Sequence, residues 1–243
     1  MELCKHQRKD YTIYSPIPGN WGSELPAQML ATIGLPGVWT YYMHTGDLTT
    51  LSELYPYIRN YLSIWKLEEN GLTLEAILLT HGHFDHVGGV KWLKDTYGAQ
   101  FACSSKDQFI IDSTAGGTMY GFKCNEVPPI DVDLDTVGEI RFGETLLRVI
   151  KTPGHTPGHV VLFNEAEKVL FTGDTLFRES IGRTDLPGGD YSWIMRSILD
   201  RIVPLGDDVV FHPGHGPSSD VGHEVLYNPF VVEVMNNEIN YRG

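Results

Sequence analysis

From residue 50 to about residue 174 the spacing of apolar positions changes repeatedly, and each change predicts a new element. In LSELYPYIRNYLSIWKLEEN (residues 51–70) apolar and polar side chains recur at near-helical spacing, which predicts a helix over residues 50–67. EAILLT (75–80) reads as a strand, VGGVKWLKDTYG (87–98) as a helix, QFACS (100–104) as a short strand, and residues 106–114 as a helix. Residues 113–135 carry glycine and proline without periodicity and predict a surface loop or an insertion. Three strand-like runs follow on short connections: TLLRVIKT (145–152), HVVLFNE (159–165) and KVLFTGD (168–174). The chain then alternates once more, with a helix over DYSWIMRSILD (190–200), N-capped by Asp190, a strand over DVVFHPG (208–214) and a helix near residues 219–236. This interleaving predicts an α/β class.

No solenoid repeat, low-complexity tract or long polar linker divides the chain, so a single domain over residues 1–243 is the simplest organisation. A hydrophobic fraction of 42% over 243 residues supports a substantial core. The balance of 18 basic against 31 acidic residues, a net charge of −13, disfavours a nucleic-acid backbone or an anionic membrane surface as partner. Cys4, Cys103 and Cys124 are odd in number and form no CxxC spacing, so neither a disulfide framework nor a thiolate metal site is expected. A reducing cytoplasm fits that usage. The opening MELCKHQRKDYTIY lacks the apolar run of a signal peptide, and no segment approaches the ~20 apolar residues of a membrane span. A short amphipathic anchor within residues 48–70 is the less favoured alternative to a helix packed on the domain.

One stretch stands apart chemically. LLTHGHFDHVGG (78–89) places His81, His83, Asp85 and His86 within six positions, between an apolar run and a pair of glycines. Such groups are costly to bury unpaired, and a divalent metal would satisfy them. In an extended backbone, residues two apart point to one side, so His81, His83 and Asp85 are expected to converge, with His86 where the next helix begins. Three more candidates follow strand-like runs: His155 in KTPGHTPGH, Asp174 in LFTGDTLF and His215 in VFHPGHGP. Loops at one sheet edge would pool these side chains around a site.

In this order and at these separations, THGHFDH, TPGHTPGH, FTGD and PGHG resemble the metallo-β-lactamase superfamily over about residues 75–230. FTGDTLFRESIGRTDLPGGDY and HPGHGPSSDVGHEVLYNPF further resemble its glyoxalase II-like (hydroxyacylglutathione hydrolase-like) branch. The resemblance implies a four-layered αββα sandwich with two divalent ions at one edge, zinc or else iron or manganese. It implies that His81, His83 and His155 hold one ion, that Asp85, His86 and His215 hold the other, and that Asp174 bridges them. Asp85 and Asp174 are then the catalytic carboxylates, with Asp85 as a proton shuttle the alternative in an enzyme that keeps one metal. His159 is the weaker rival of His155 and is expected to support the site from behind it. His212 is expected to pack within its strand, and His6, His44 and His223 to be structural or exposed. Arg178 and Arg183 are expected to pair with Glu179 and Asp185 in preference to a substrate carboxylate.

Two departures bear on substrate. The family's Asp-Pro-Gly turn before the histidine motif has only MHTGD as its nearest equivalent, so the first 75 residues match poorly and the role of His44 is open. The helical C-terminal region that serves glutathione in glyoxalase II has no counterpart in the 28 residues after His215. The leading expectation is a metal-dependent hydrolase of a small acyl or thioester substrate, with a metal-bound hydroxide as nucleophile and a thiolate as leaving group. Alternatives are a persulfide dioxygenase with one iron on His81, His155 and Asp174, and a hydrolase of other esters or lactones. A nuclease of the same superfamily is disfavoured by charge, and a non-catalytic metal-binding protein by the open cleft such a site would have.

Overall fold

A computed structural model describes residues 73–114, 118–119, 122–123 and 126–241. The expected helix over residues 50–67 and the possible anchor over 48–70 lie outside them, as does His44. Leu74–Gly243 forms one compact unit.

The elements run β1 (Ala76–Leu78), α1 (Phe84–Val87), α2 (Val90–Tyr97), β2 (Gln100–Cys103), a 3₁₀ turn (Ser105–Asp107) and α3 (Gln108–Thr114). A small hairpin, β3 (Thr118–Met119) with β4 (Phe122–Lys123), is followed by β5 (Val132–Asp133), β6 (Glu139–Phe142), β7 (Thr145–Lys151), β8 (Val160–Asn164) and β9 (Val169–Gly173). Then come the hairpin β10 (Leu176–Phe177) and β11 (Ser180–Ile181), helix α4 (Tyr191–Ser197), β12 (Val210–Pro213), β13 (Ser219–Asp220), α5 (Val221–Tyr227) and α6 (Pro229–Tyr241). Residues 113–135 are thus not all loop, since β5 pairs in parallel with β2. The strand β6 was not apparent in the sequence because its alternation spans only four residues, EIRF, three of them exposed. The C-terminal helix is two helices, broken at Asn228 ahead of Pro229, as expected where a proline follows. Asp190 caps α4 by accepting from Trp193 N–H at 2.8 Å.

Two sheets result: parallel β1-β2-β5, and a six-stranded sheet ordered β13-β12-β9-β8-β7-β6. Their side-chain alternation divides the apolar residues into three seams. Ile77, Phe101 and Cys103 on one face of the small sheet pack with Val87 and Val90 of the helices. On its other face Leu78 and Ala102 meet Leu147, Val160 and Leu162 of the large sheet. The far face of the large sheet, Val161, Phe163, Leu170 and Phe211, packs on Ile194, Ile198, Val221 and Val231. Three seams separate four layers, which read helix, sheet, sheet, helix, because both faces of each sheet are covered.

The strand directions put the candidate residues at one edge. β7 and β9 each run antiparallel to β8, and β12 runs parallel to β9, so β7, β9 and β12 all end on the same side. Val160 N–H, at the start of β8 on that side, donates to Thr80 O at 2.8 Å, bringing the end of β1 there as well.

Candidate metal centre

His81 and His83 follow β1, His155 follows β7, Asp174 follows β9 and His215 follows β12. Extended alternation does not carry Asp85 to the same side as His81 and His83. The helix α1 starts at Phe84, with His83 at its N-cap position, so Asp85 and His86 sit together on a helical turn. Two ligand-capable groups result, His81 with His83 and His155, and Asp85 with His86 and His215. A third, His81 with His86 and Asp174, connects them; within each group the ligand atoms lie within 4.8 Å of one another. All seven residues named from the sequence meet at this edge.

Hydrogen bonding fixes which atoms are available. The Nδ1–H of His155 donates to the carbonyl of Arg183 at 2.7 Å, which leaves its Nε2 lone pair facing His83 Nδ1 at 2.9 Å. His81 is fully buried, with Nδ1 3.1 Å from the Thr80 hydroxyl and no hydrogen-bond partner at Nε2. His86 Nε2 and Asp174 Oδ1 are likewise buried without a partner. Orphaned buried polar atoms are rare because each forfeits its hydration. These three belong to the residues of the connecting group, so the site fits a cation that would take their lone pairs.

The electrostatics agree. Burial holds the His81 imidazole well below its usual pKa, and burial followed by neighbouring His155 brings His83 down to about 4. Both are neutral at neutral pH, the form that binds metal. Burial pushes Asp174 up, but the His215 hydrogen bond and the nearby histidines outweigh it and the carboxyl lies below its ordinary value. The same balance holds Asp85 at about 2. His215, 3.4 Å from Asp174 Oδ2 and 3.2 Å from Asp85 Oδ2, is raised to about 10 by those two carboxylates.

His159 is not in any of these groups. Its Nε2 accepts from Asp174 N–H at 3.0 Å and its Nδ1 lies 3.0 Å from both the Thr152 and Thr175 hydroxyls. The expectation that it supports the site from behind is met. His212 packs in β12, 2.7 Å from the Ser218 hydroxyl, and His223 pairs with Glu179 at 3.0 Å. Gly214 makes room for the central carboxylate, since a Cβ there would stand 2.2 Å from Asp174 Oδ1.

A cleft of about 570 Å³ opens beside the cluster. Asp85, His83, His155, Asp174 and His215 form one side, and Phe84, Phe109, Phe177, Ile181, Leu186 and Pro187 are prominent on the rest. Arg183 is the one Lys or Arg among the described lining residues, and its guanidinium forks onto Asp185 at 2.7 and 2.8 Å. Arg178 lies 3.9 Å from Glu179. Both arginines therefore have carboxylate partners, as expected. The β10–β11 hairpin that carries Phe177 and Ile181 is held from behind by buried Glu224, which accepts from Glu179 N–H at 2.7 Å. Asn228 donates both to Glu224 at 2.9 Å and to Ser180 O at 3.0 Å.

Sequence reasoning missed Asp107. Its carboxylate is buried against the His81–His83 segment and the His155 loop, accepting from Gly82 N–H, Thr156 O–H and Gly158 N–H. The available signal was an aspartate at the start of a predicted helix, where a cap or a solvated first-turn charge is the ordinary reading.

Comparison with known proteins identifies the family. A family model described as the metallo-beta-lactamase superfamily matches residues 44–215. The match begins at His44, so residues 44–75 fit better than the departure at MHTGD suggested. The hydroxyacylglutathione hydrolase GloC of Haemophilus influenzae is 39% identical over 176 residues, spanning 69% of this chain and 81% of that protein. Among solved structures, the BLEG-1 B3 metallo-beta-lactamase superposes with a TM-score of 0.64 at 37% identity, covering 70% of this chain and 82% of that one. TTHA1623 in a di-iron-bound form gives 0.59 at 34% identity, covering 69% and 82%.

Proposed function

Because the chain belongs to the metallo-β-lactamase superfamily, we propose that its metallo-hydrolase chemistry is directed at thioesters, as in hydroxyacylglutathione hydrolysis, with little demand for the glutathione moiety itself. The observation that carries this reading is the wall facing the metal cluster. Among the described residues it is largely aromatic and aliphatic, and the one arginine among them is already paired with Asp185.

In this reading His81, His83 and His155 hold one divalent ion, Asp85, His86 and His215 a second, and Asp174 both. Zinc is the first choice, and iron is supported by the similar di-iron protein. Such ions supply Lewis acidity and bring the pKa of bound water down to about 7. The chain's own residues do the rest. Asp85, 3.2 Å from His215 and with its carboxyl pKa held at about 2, keeps the anionic form that a ligand needs. Among the described lining residues no carboxylic acid or lysine stands on the apolar wall to protonate a departing amine. A thiolate does not need one, since a thiol with a pKa of about 8.5 leaves largely unassisted.

The likeness to BLEG-1 gives β-lactam hydrolysis a claim to second place, and the same argument about the leaving group counts against it. The single-iron dioxygenase reading is weaker because it has no use for the group of Asp85, His86 and His215. Measuring kcat/KM for lactoylglutathione, a smaller uncharged acyl thioester and a β-lactam decides the matter. Both thioesters should turn over, the smaller one at least as well, and the lactam poorly. Turnover of the lactam alone, or oxygen consumption with a persulfide, would displace the proposal.

A further inference from the structure

Asp107 is the last residue of the 3₁₀ turn that follows β2, and it is completely buried. Its Oδ2 accepts from Gly82 N–H at 3.0 Å and from the Thr156 hydroxyl at 2.7 Å, and its Oδ1 accepts from Gly158 N–H at 2.7 Å. Each donor is a chain neighbour of a histidine: Gly82 separates His81 from His83, Thr156 follows His155, and Gly158 precedes His159. One carboxylate therefore spans two segments more than seventy positions apart in sequence, both of which carry residues of the metal cluster. It has no Lys or Arg partner among the described residues, so the three donors are what offsets its burial.

The glycines of HGH and TPGH are explained by this contact. Neither Gly82 nor Gly158 has a positive φ, so neither is required for backbone conformation. A Cβ on Gly82 would stand 2.9 Å from Asp107 Cβ, and one on Gly158 would stand 2.7 Å from Oδ1 and 2.8 Å from the Ser104 hydroxyl. Room for the carboxylate, rather than a turn, is what these positions supply. Sequence, packing and hydrogen bonding converge on one point between the two loops.

We propose that Asp107 is a positioning residue of the metal centre, fixing the separation of the His81–His83 segment from His155 before any ion binds and so setting the affinity of the three-histidine group. It touches none of the ligand atoms, and it acts through the backbone that carries them. The proposal rests on the reading of those three histidines as ligands.

Asp107→Asn tests it, because the amide keeps the shape but turns one acceptor into a donor that faces donors. Cobalt(II) is titrated into metal-free wild type and variant while affinity and the visible absorption bands are followed. The variant should bind its first ion about tenfold or more weaker, with altered bands, while Thr156→Val, which removes one of the three bonds, moves both readouts less and in the same direction. A merely structural role would lower the melting temperature and leave the bands unchanged, which overturns the proposal. If Asp107→Asn does not fold, Thr156→Val decides, and wild-type affinity and bands in that variant are again fatal. Failure of wild type to bind cobalt at all would overturn instead the ligand reading beneath it.

Discussion

The backbone N–H of Asp174 donates to Nε2 of His159 at 3.0 Å. An amide can only donate, so Nε2 must hold a lone pair and the ring proton lies on Nδ1, toward the Thr152 and Thr175 hydroxyls. Both nitrogens are spent, and the imidazole orients the one carboxylate that stands between the two ligand groups. His159→Phe keeps the ring and strands that N–H. It should cost about 1–3 kcal/mol in urea unfolding of the metal-free protein, and calorimetry should find metal held about tenfold less tightly. Unchanged metal affinity would mean that Asp174 is oriented by something else.

In the proposed two-ion site Asp174 should matter more than Asp85 or His215, because its loss would leave two cations facing each other without a shared anion. Elemental analysis should find about two ions per chain in the wild type and fewer in Asp174→Ala, with turnover lost as well. Gly214→Ala should imitate that variant without replacing a ligand, since its Cβ would meet Asp174 Oδ1 at 2.2 Å and His86 Cε1 at 3.0 Å. A Gly214→Ala protein with full metal content and activity would show that the carboxylate has slack to move.

Metal removal should destabilise the fold, because His81 Nε2, His86 Nε2 and Asp174 Oδ1 are buried without hydrogen-bond partners, the last two 3.5 Å apart. An ion present at one hundred times its dissociation constant stabilises by about 2.7 kcal/mol. For a chain of this size chelation should then lower Tm by roughly 5–10 °C. Scanning calorimetry before and after chelation, with zinc restored as a control, measures it.

Cys103 gives a check on the fold that is independent of the metal. Its side chain is fully buried in β2 and burial pushes the thiol up to about 12, so almost no thiolate exists at pH 8. Peptide mapping after alkylation should find Cys103 unmodified in the native protein and modified in denaturant. Rapid native labelling would mean that the seam between α1, α2 and the small sheet opens readily.

The candidate site was legible because each of its four segments follows an apolar run, and strand ends are visible wherever the runs are unbroken, as in LLT before His81 and LFTG before Asp174. What the sequence could not convey was the early start of α1. Phe84 lies in the middle of the cluster and reads as readily in an extended period as in a helical one, so Asp85 was expected to converge through an extended backbone where a helical turn brings it in. β6 escaped because its alternation, Glu139-Ile140-Arg141-Phe142, lasts only four residues at an exposed edge. Asp107 escaped for a different reason. Its partners are two backbone amides and a hydroxyl on distant loops, and a carboxylate bonded to backbone leaves no complementary residue type to look for.

The grip of Glu224 and Asn228 on the β10–β11 hairpin has an evolutionary consequence. Phe177 and Ile181 shape the mouth of the cleft, yet what pins their backbone comes from α5 and the residue that ends it, behind the hairpin and apart from every metal-facing side chain. Mutations along that support can therefore tilt the mouth while the reactive centre keeps its own scaffold of strand ends. Lineages descended from such a protein could change diet by editing a helix, and the conserved-looking histidine motif would carry no record of the change.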